Sequence, residues 1–405
     1  MTCVFRELRP ISWLAGLALA TAWLWSAHGW RQGACWLIAC GLGLALVQAS
    51  VSFTGGVRAL IIERRSAGVR AQLLLVGATL LLFVPFLGSG EAVGSPVRGF
   101  VFPVGVALVI GAFLFGLGMQ LGGGCGSGTL AAAGSGVPRL WITLAAFITG
   151  ATLAAWQSEL WSALPALPAV SLPSLLGWPA ATALALGLLG GLWHLAARLE
   201  RQSHGAVAPL GGRGSLLLGP WPLAWGALAL ALLCLATLVV AGRPWGITAA
   251  FPLWGSSLIE ALGLGDPAFW AYWGEPTRAE AMFRPLLADR TTVMNLGLIA
   301  GAALAASLSR RPRRLTLPRP GEAAASVVGG LLLGIGATVG GGCNISAFLG
   351  GIASGSLHGW VWILPALAGN AAGLALRPLF GLPGGLPAGQ RTPAPRLPAA
   401  LKAGP

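Results

Sequence analysis

The sequence predicts an all-α, polytopic membrane bundle of about ten transmembrane helices, in two inverted repeats with short broken helices at the centre. Three observations predict it. Apolar residues make up 56% of the 405 residues and charged residues 9%, whereas a water-facing surface requires about 25% charged residues. Ten apolar runs approach the ~20 residues that a bilayer core demands. One glycine-rich block ending in cysteine occurs twice.

The ten runs are Ile11–Ala27, Ala34–Ser52, Ala71–Leu87, Phe100–Leu121, Leu140–Trp156, Trp178–Ala197, Trp221–Ala241, Thr291–Leu308, Ala324–Gly340 and Trp360–Leu379. Arg6 and Arg9 before the first run resemble the start of a signal peptide. The run continues through Trp25 and many more follow, which favours an uncleaved first helix. Trp13, Trp23, Trp25, Trp30, Trp141, Trp156, Trp178 and Trp221 lie near run ends, where indole rings prefer the membrane interface.

Positive charge orders the loops. Arg58, Arg64, Arg65 and Arg70 follow the second run; Arg198, Arg201 and Arg213 follow the sixth; Arg310, Arg311, Arg313, Arg314 and Arg319 follow the eighth. Arg391, Arg396 and Lys402 lie in the tail. Arginine-rich short loops stay in the cytoplasm, so ten spans with both termini cytoplasmic fit a bacterial inner membrane. The net charge of +14 is then an orienting feature, and nucleic acid is not expected as a partner; the lipid bilayer is. The expected organisation is a first five-helix repeat over 1–197, a basic cytoplasmic linker over 198–220, a second repeat over 221–382, and a Pro/Ala/Gly-rich disordered tail over 383–405.

The repeated block runs from Leu114 to Cys125 and again from Leu332 to Cys343, both reading G-x-G-x-x-x-G-G-G-C. A weaker pair is Ser52-Phe53-Thr54 against Gly246-Ile247-Thr248. Five spans per half is an odd number, so the second repeat must enter the membrane from the opposite side. Inverted repeats with broken helices are a recurrent transporter plan, with the substrate site where the repeats meet.

Three consecutive glycines oppose a regular helix, at about 1 kcal/mol each against alanine. The backbone freed by the break is tolerable only where protein or a cavity, not lipid, receives it. Short helices are expected to restart after each cysteine, with Asn344 or Ser346 as one cap and Thr54 and Thr248 as caps of two more. Helix N-termini attract anions. Cys125 and Cys343 occupy equivalent places after the glycines, and a neutral thiol offers a weak donor on a polarizable atom. The expected substrate-binding set is Cys125, Cys343, Gly123, Gly124, Gly126, Gly341, Gly342, Asn344, Gln120, Thr54 and Thr248. Cys3, Cys35, Cys40 and Cys234 sit in plain apolar runs and read as packing. Arg58 and Arg377 at span ends are expected to snorkel to the interface. No C-x-x-C pair, nucleotide motif or pair of carboxylates within the spans occurs, so no metal, cofactor, enzyme activity or primary pump is expected.

On these residues the sequence resembles the YeeE/YedE family of membrane proteins, whose best-understood members take up thiosulfate. The resemblance rests on the two Gly-Gly-Cys blocks and is supported by Gly242-Arg243-Pro244-Trp245-Gly246-Ile247-Thr248 and the hydropathy skeleton. It implies an hourglass-shaped helical permease for a small sulfur-containing anion, passed along by S–H···S contacts at Cys125 and Cys343. Relatives carry a further cysteine near the place of Val51, matched here to Trp245, and neither is cysteine. Relatives also follow the block with Gly-His, where this chain has Gly128-Thr129 and Ser346-Ala347. The alternatives are a selenium compound as substrate, or sulfur transfer in concert with a soluble sulfurtransferase.

Overall fold

The computed structural model describes residues 2–215, 219–308 and 316–384. The arginines at 310–314 and the tail from 385 lie outside them. The first half of the chain forms α1 (Thr2–His28), α2 (Trp30–Ala49), α3 (Phe53–Glu63), α4 (Ala67–Ser89), α5 (Val106–Gly122), α6 (Gly126–Gly134) and α7 (Pro138–Trp156). The second forms α8 (Trp178–His204), α9 (Leu223–Ala241), α10 (Ala250–Ala261), α11 (Arg290–Leu308) and α12 (Pro320–Val339). It ends with α13, a π-helical turn (Asn344–Leu349) continued by Gly350–Ala353, and α14 (Leu357–Leu376). Short helical turns and two-residue strand pairs occupy the connections.

Among the described residues nine helical stretches are long and apolar enough to cross a membrane, and α1 carries the run expected at Ile11–Ala27. Each expected span therefore falls on a helix, and the protein is a multi-pass membrane protein. Trp13, Trp23, Trp25, Trp30, Trp141 and Trp156 are exposed, as are Leu184, Leu188, Leu192 and Leu195 along α8. Such an apolar exterior suits hydrocarbon, not water.

Helix α1 starts at Thr2, ahead of the expected Ile11, and two other boundaries differ from expectation for a local reason. The fourth span starts at Val106 instead of Phe100, because Pro103 has no N–H to donate and Val104–Gly105 pairs with Ala166–Leu167 as a short strand. The sixth continues past Ala197 to His204. Glu200, fully buried there, accepts from Ser66 N at 3.2 Å and pairs with Arg70 at 3.5 Å, which gives this turn a partner in α4.

The packing relates the halves. At the centre α5 packs on α12 and α2 on α9. The pair α7·α12 has its counterpart in α14·α5, and α2·α11 in α9·α4. Likewise α6·α11 answers α13·α4, and α10·α7 answers α3·α14. Exchanging each helix with its equivalent in the other half turns each of these pairs into another pair that is also in contact, as a two-fold-related repeat requires. Glycines let these backbones meet: a Cβ on Gly118 of α5 would lie 2.7 Å from Gly329 O and Leu333 N of α12. Small residues at the crossing serve membrane helices because lipid offers no hydrophobic drive for association.

Two thiols at the centre: a candidate functional site

α5 ends as the three glycines dictate. Gly123 takes φ +85° and donates its N–H back to Met119 O at 3.1 Å. The equivalent Gly341 takes φ +70°, and Gly342 φ +139°. Glycine alone adopts such values without strain. The chain then turns into α6 on one side and α13 on the other.

The caps of these helices are the cysteines themselves. Cys125 is the N-cap of α6, and its Sγ accepts from Gly128 N at 3.4 Å and lies 3.5 Å from Ser127 Oγ. Cys343 is the N-cap of α13. Its N–H donates to Ser346 Oγ at 3.0 Å, and that hydroxyl donates to Cys343 Sγ at 3.7 Å. Asn344 lies inside the helix, so of the two residues expected to cap it only Ser346 takes part, from inside the first turn. Thr54 and Thr248 are not caps either. Ser52 caps α3 by accepting from Gly55 N at 2.9 Å, and Ala249 precedes α10 without a side-chain cap bond. Ser52 has the extended backbone that capping needs, whereas Thr54 is already one residue into the helix.

The two thiols approach one stretch of backbone, Gly126–Gly128. Cys343 Sγ lies 3.3 Å from where a side chain on Gly126 would begin, and Cys125 Sγ 3.4 Å from the same place on Gly128. Ile247, upstream of α10, touches the Gly126 position at 3.5 Å and is held by Asn295 Nδ2 donating to its carbonyl at 2.9 Å. Phe53 of α3 meets Phe348 of α13 edge to face at 6.5 Å. Residues from all four short helices or their approaches thus pack against one another in a chain, α3 on α13, α13 on α6 and Ile247 on α6. Cys125 is 2% exposed and Cys343 0%, so both sulfurs are closed off from solvent in this conformation.

The remaining expected residues divide. Gly124 sits against Thr129, whose Oγ1 is 2.8 Å from the place of a Cβ. Thr54, Thr129 and Asn344 each bury a side-chain oxygen, and Trp245 an indole N–H, with no hydrogen-bond partner among the described residues. Buried polar atoms of this kind cost about 1–3 kcal/mol each when unpaired; Thr129 and Asn344 lie on the two helices that the cysteines cap, Thr54 on α3 and Trp245 ahead of α10. Thr248 is buried one residue after Ile247. Gln120 is fully committed: Nε2 donates to Thr54 O at 3.2 Å and Asn370 Oδ1 at 2.7 Å, and Oε1 accepts from Arg58 Nε at 3.1 Å. It braces α3, α5 and α14 together.

Arg377 does not snorkel. It is 3% exposed and donates from Nη1 to Gln120 O at 2.5 Å and from Nε to Pro383 O at 3.0 Å. The C-terminal carbonyls of α5 draw it inward, as they draw any nearby cation. Sequence reasoning also missed Arg139, which stands near Gly123, and His358, which packs against Gly351 and the Phe102 ring. Each is the second residue of a helix, α7 and α14, and that shared position was the available signal.

The model of the sulphur transport family matches residues 48–372 of this chain, which include both glycine–cysteine blocks and all four short helices. The chain belongs to the sulphur transport (YeeE/YedE) family. Thiosulfate transporter TsuA of Spirochaeta thermophila is 25% identical over 353 residues, covering 81% of this chain and 93% of that protein. Thiosulfate transporter TsuA of Escherichia coli K12 is 26% identical over 360 residues, 82% and 90% of the two chains. A probable transporter, YedE, of Escherichia coli K12 is 30% identical over 154 residues, 36% of this chain. The chain spans only 35% of that YedE's length and 40% of its Salmonella typhimurium counterpart's. The printed names of these relatives are those of transporters and not of enzymes.

Proposed function

We propose that this protein is an inner-membrane permease for a small sulfur-containing anion of the thiosulfate kind, which passes between Cys125 and Cys343. The observation that carries this reading is that two equivalent thiols, one from each half, approach the same stretch of backbone at Gly126–Gly128. Each sulfur already accepts a hydrogen bond from its own helix start, Gly128 N–H for Cys125 and Ser346 O–H for Cys343. The S–H of Cys343 is then free to donate to a passing sulfur atom, and that of Cys125 can exchange Ser127 Oγ, 3.5 Å away, for the same sulfur. The unpaired Thr54, Thr129 and Trp245 groups supply donors for the oxygen atoms of such an anion. Gly123, Gly124, Gly126, Gly341 and Gly342 keep the surrounding backbone close. Thr248, Asn344 and Gln120 hold the four short elements in register.

Sulfur transfer to a soluble sulfurtransferase needs a thiol that a protein partner can reach. The burial of both sulfurs favours passage of a small ion instead. The repeats take 1–197 and 221–382 as their bounds, joined by the basic stretch 198–220, with both termini in the cytoplasm. A reporter fused at Gly205 should then read cytoplasmic and one at Gly265 periplasmic. Finding the two on one side breaks the inverted arrangement.

The test of function is uptake. A bacterial host lacking its own sulfate and thiosulfate uptake should grow on thiosulfate as sole sulfur source when it makes this protein, and should accumulate radiolabelled thiosulfate. Growth with selenite or selenocompound accumulation, and none with thiosulfate, would replace the substrate by a selenium species. If neither compound is taken up although the protein is present in the membrane, the permease reading falls.

A further inference from the structure

The C-terminal end of α5 is surrounded by positive charge on one side only. Arg58 of α3 donates from Nε to Gln120 Oε1. Arg139 of α7 donates to Leu121 O and, at 2.9 Å, to Ser326 Oγ. Arg377 donates to Gln120 O. Arg377 lies within electrostatic range of both other guanidinium groups. Gly123, where the helix breaks toward Cys125, has its open Cβ position 3.6 Å from Arg139 Nη1.

Capping explains only part of this charge. The end of a helix carries about −0.5 of an elementary charge, against three guanidinium groups. Among the described residues none of the three has a carboxylate within ion-pair distance. Glu63 and Glu322 act on Arg58 and Arg139 only at longer range, and Glu322 already accepts from Arg319 N at 3.0 Å. The stretches 216–218, 309–315 and 385–405 contain no Asp or Glu. Both terminal nitrogens of Arg58 and Nη1 of Arg139 make no hydrogen bond among the described residues.

The opposite repeat lacks this feature. Around Gly341 stand Phe102, 3.9 Å from its open Cβ position, the Phe100 ring stacked on Phe102 at 5.6 Å, and the His358 ring 5.0 Å from Phe102. Arginine is the second residue of α7 and histidine the second residue of α14. Two halves with matched packing therefore differ in charge at the two ends of the thiol pair.

We propose that Arg58, Arg139 and Arg377 form an oxyanion-binding station beside Cys125, which takes the hard oxygen-bearing end of the cargo while the thiols take its soft sulfur. The inference rests on the permease reading and narrows it to substrates that carry a sulfonate- or sulfate-like group. Guanidinium groups match such oxygens with paired N–H donors. A thiol does not, being a weak donor on a soft atom. A lipid phosphate has the same oxygen chemistry, and the test separates the two sources.

Full-length protein is purified and titrated with sodium thiosulfate, with sodium sulfate as competitor. Arg58→Gln and Arg139→Gln should each weaken thiosulfate binding by about tenfold, and the pair by about a hundredfold, each removing charge-assisted hydrogen bonds. Sulfate should compete in the wild type and lose that ability in the double variant. The titration is repeated in vesicles of phosphatidylcholine alone and with phosphatidylglycerol. Binding of thiosulfate that is equal in both supports the station, and Arg-dependent loss of phosphatidylglycerol without loss of thiosulfate overturns it in favour of a lipid site. A measurement on the wild type guards against variants that do not fold. Phenylglyoxal modification of Arg58 and Arg139, read by peptide mass spectrometry, should slow when thiosulfate saturates the protein. Unchanged thiosulfate affinity in a folded double variant, or unprotected arginines, overturns the station and leaves the permease reading standing. Absence of uptake of both thiosulfate and selenium compounds by the wild type overturns that reading itself.

Discussion

A Cys125→Ala, Cys343→Ala double variant should lose uptake of the sulfur anion, whereas Cys40→Ala and Cys234→Ala should transport at the wild-type rate. The four sulfurs are all buried, so burial cannot distinguish them; position does. Cys40 and Cys234 lie within the unbroken helices α2 and α9, where a thiol behaves as a small hydrophobe. Cys125 and Cys343 stand at helix starts and approach the same stretch of backbone at Gly126–Gly128. Serine gives the sharper comparison. Among N-caps serine is strongly preferred, and alanine costs about 1 kcal/mol relative to it. Cys125→Ser and Cys343→Ser should therefore melt at or above the wild-type temperature in detergent. If the polarizable sulfur is what the substrate needs, both serine variants should be stable and transport-deficient. Stable serine variants with full uptake would mean that a simple hydrogen-bond donor suffices, and full uptake by the double alanine variant would reduce both cysteines to packing.

The spans were legible in the sequence because lipid imposes a single strong requirement on every residue that faces it. Composition over ~20 residues reports that requirement directly. The glycine–cysteine blocks were legible for a related reason: three glycines exclude a helix wherever they stand, and their repetition points to symmetry. Features that depend on a few ångströms were not. Ser52 rather than Thr54 caps α3 because of where the backbone turns, and nothing in Ser52-Phe53-Thr54 says which residue will be extended. Arg377 reads as an interfacial arginine from its place at a span end, yet the carbonyls of α5 are close enough to hold it inside. Gln120 reads as a ligand from its distance along the chain to Cys125. Its amide is already used by Thr54, Asn370 and Arg58, which come from distant parts of the sequence. The expected reachability of the thiols also depends on packing: a glycine break supplies room for a cavity, and here the neighbouring short helices fill it.

The two glycines that immediately precede the cysteines should differ in their tolerance of a side chain. At Gly124 a Cβ would lie 2.8 Å from Thr129 Oγ1 and 3.0 Å from Thr129 N. The hydroxyl can rotate away, and the backbone of Gly124 lies outside the positive-φ region. Gly124→Ala should consequently insert normally and retain part of its uptake. Gly342 has φ +139°, a conformation costing other residues about 1–3 kcal/mol. A Cβ there would collide with Ser346 Oγ and lie 3.1 Å from Ala347 N. Ser346 Oγ is the group that accepts from Cys343 N and donates to Cys343 Sγ, so displacing it turns the thiol away from Gly126. Overpacking adds about 1–3 kcal/mol more. Gly342→Ala should therefore lower the detergent melting temperature and abolish thiosulfate uptake, and Gly342→Leu should do so more severely. Comparing uptake per inserted molecule separates this local effect from poor expression. Equal uptake by Gly124→Ala and Gly342→Ala, both at the wild-type level, would show that the backbone beside Cys343 has room to spare and that the position of this thiol is not what transport depends on.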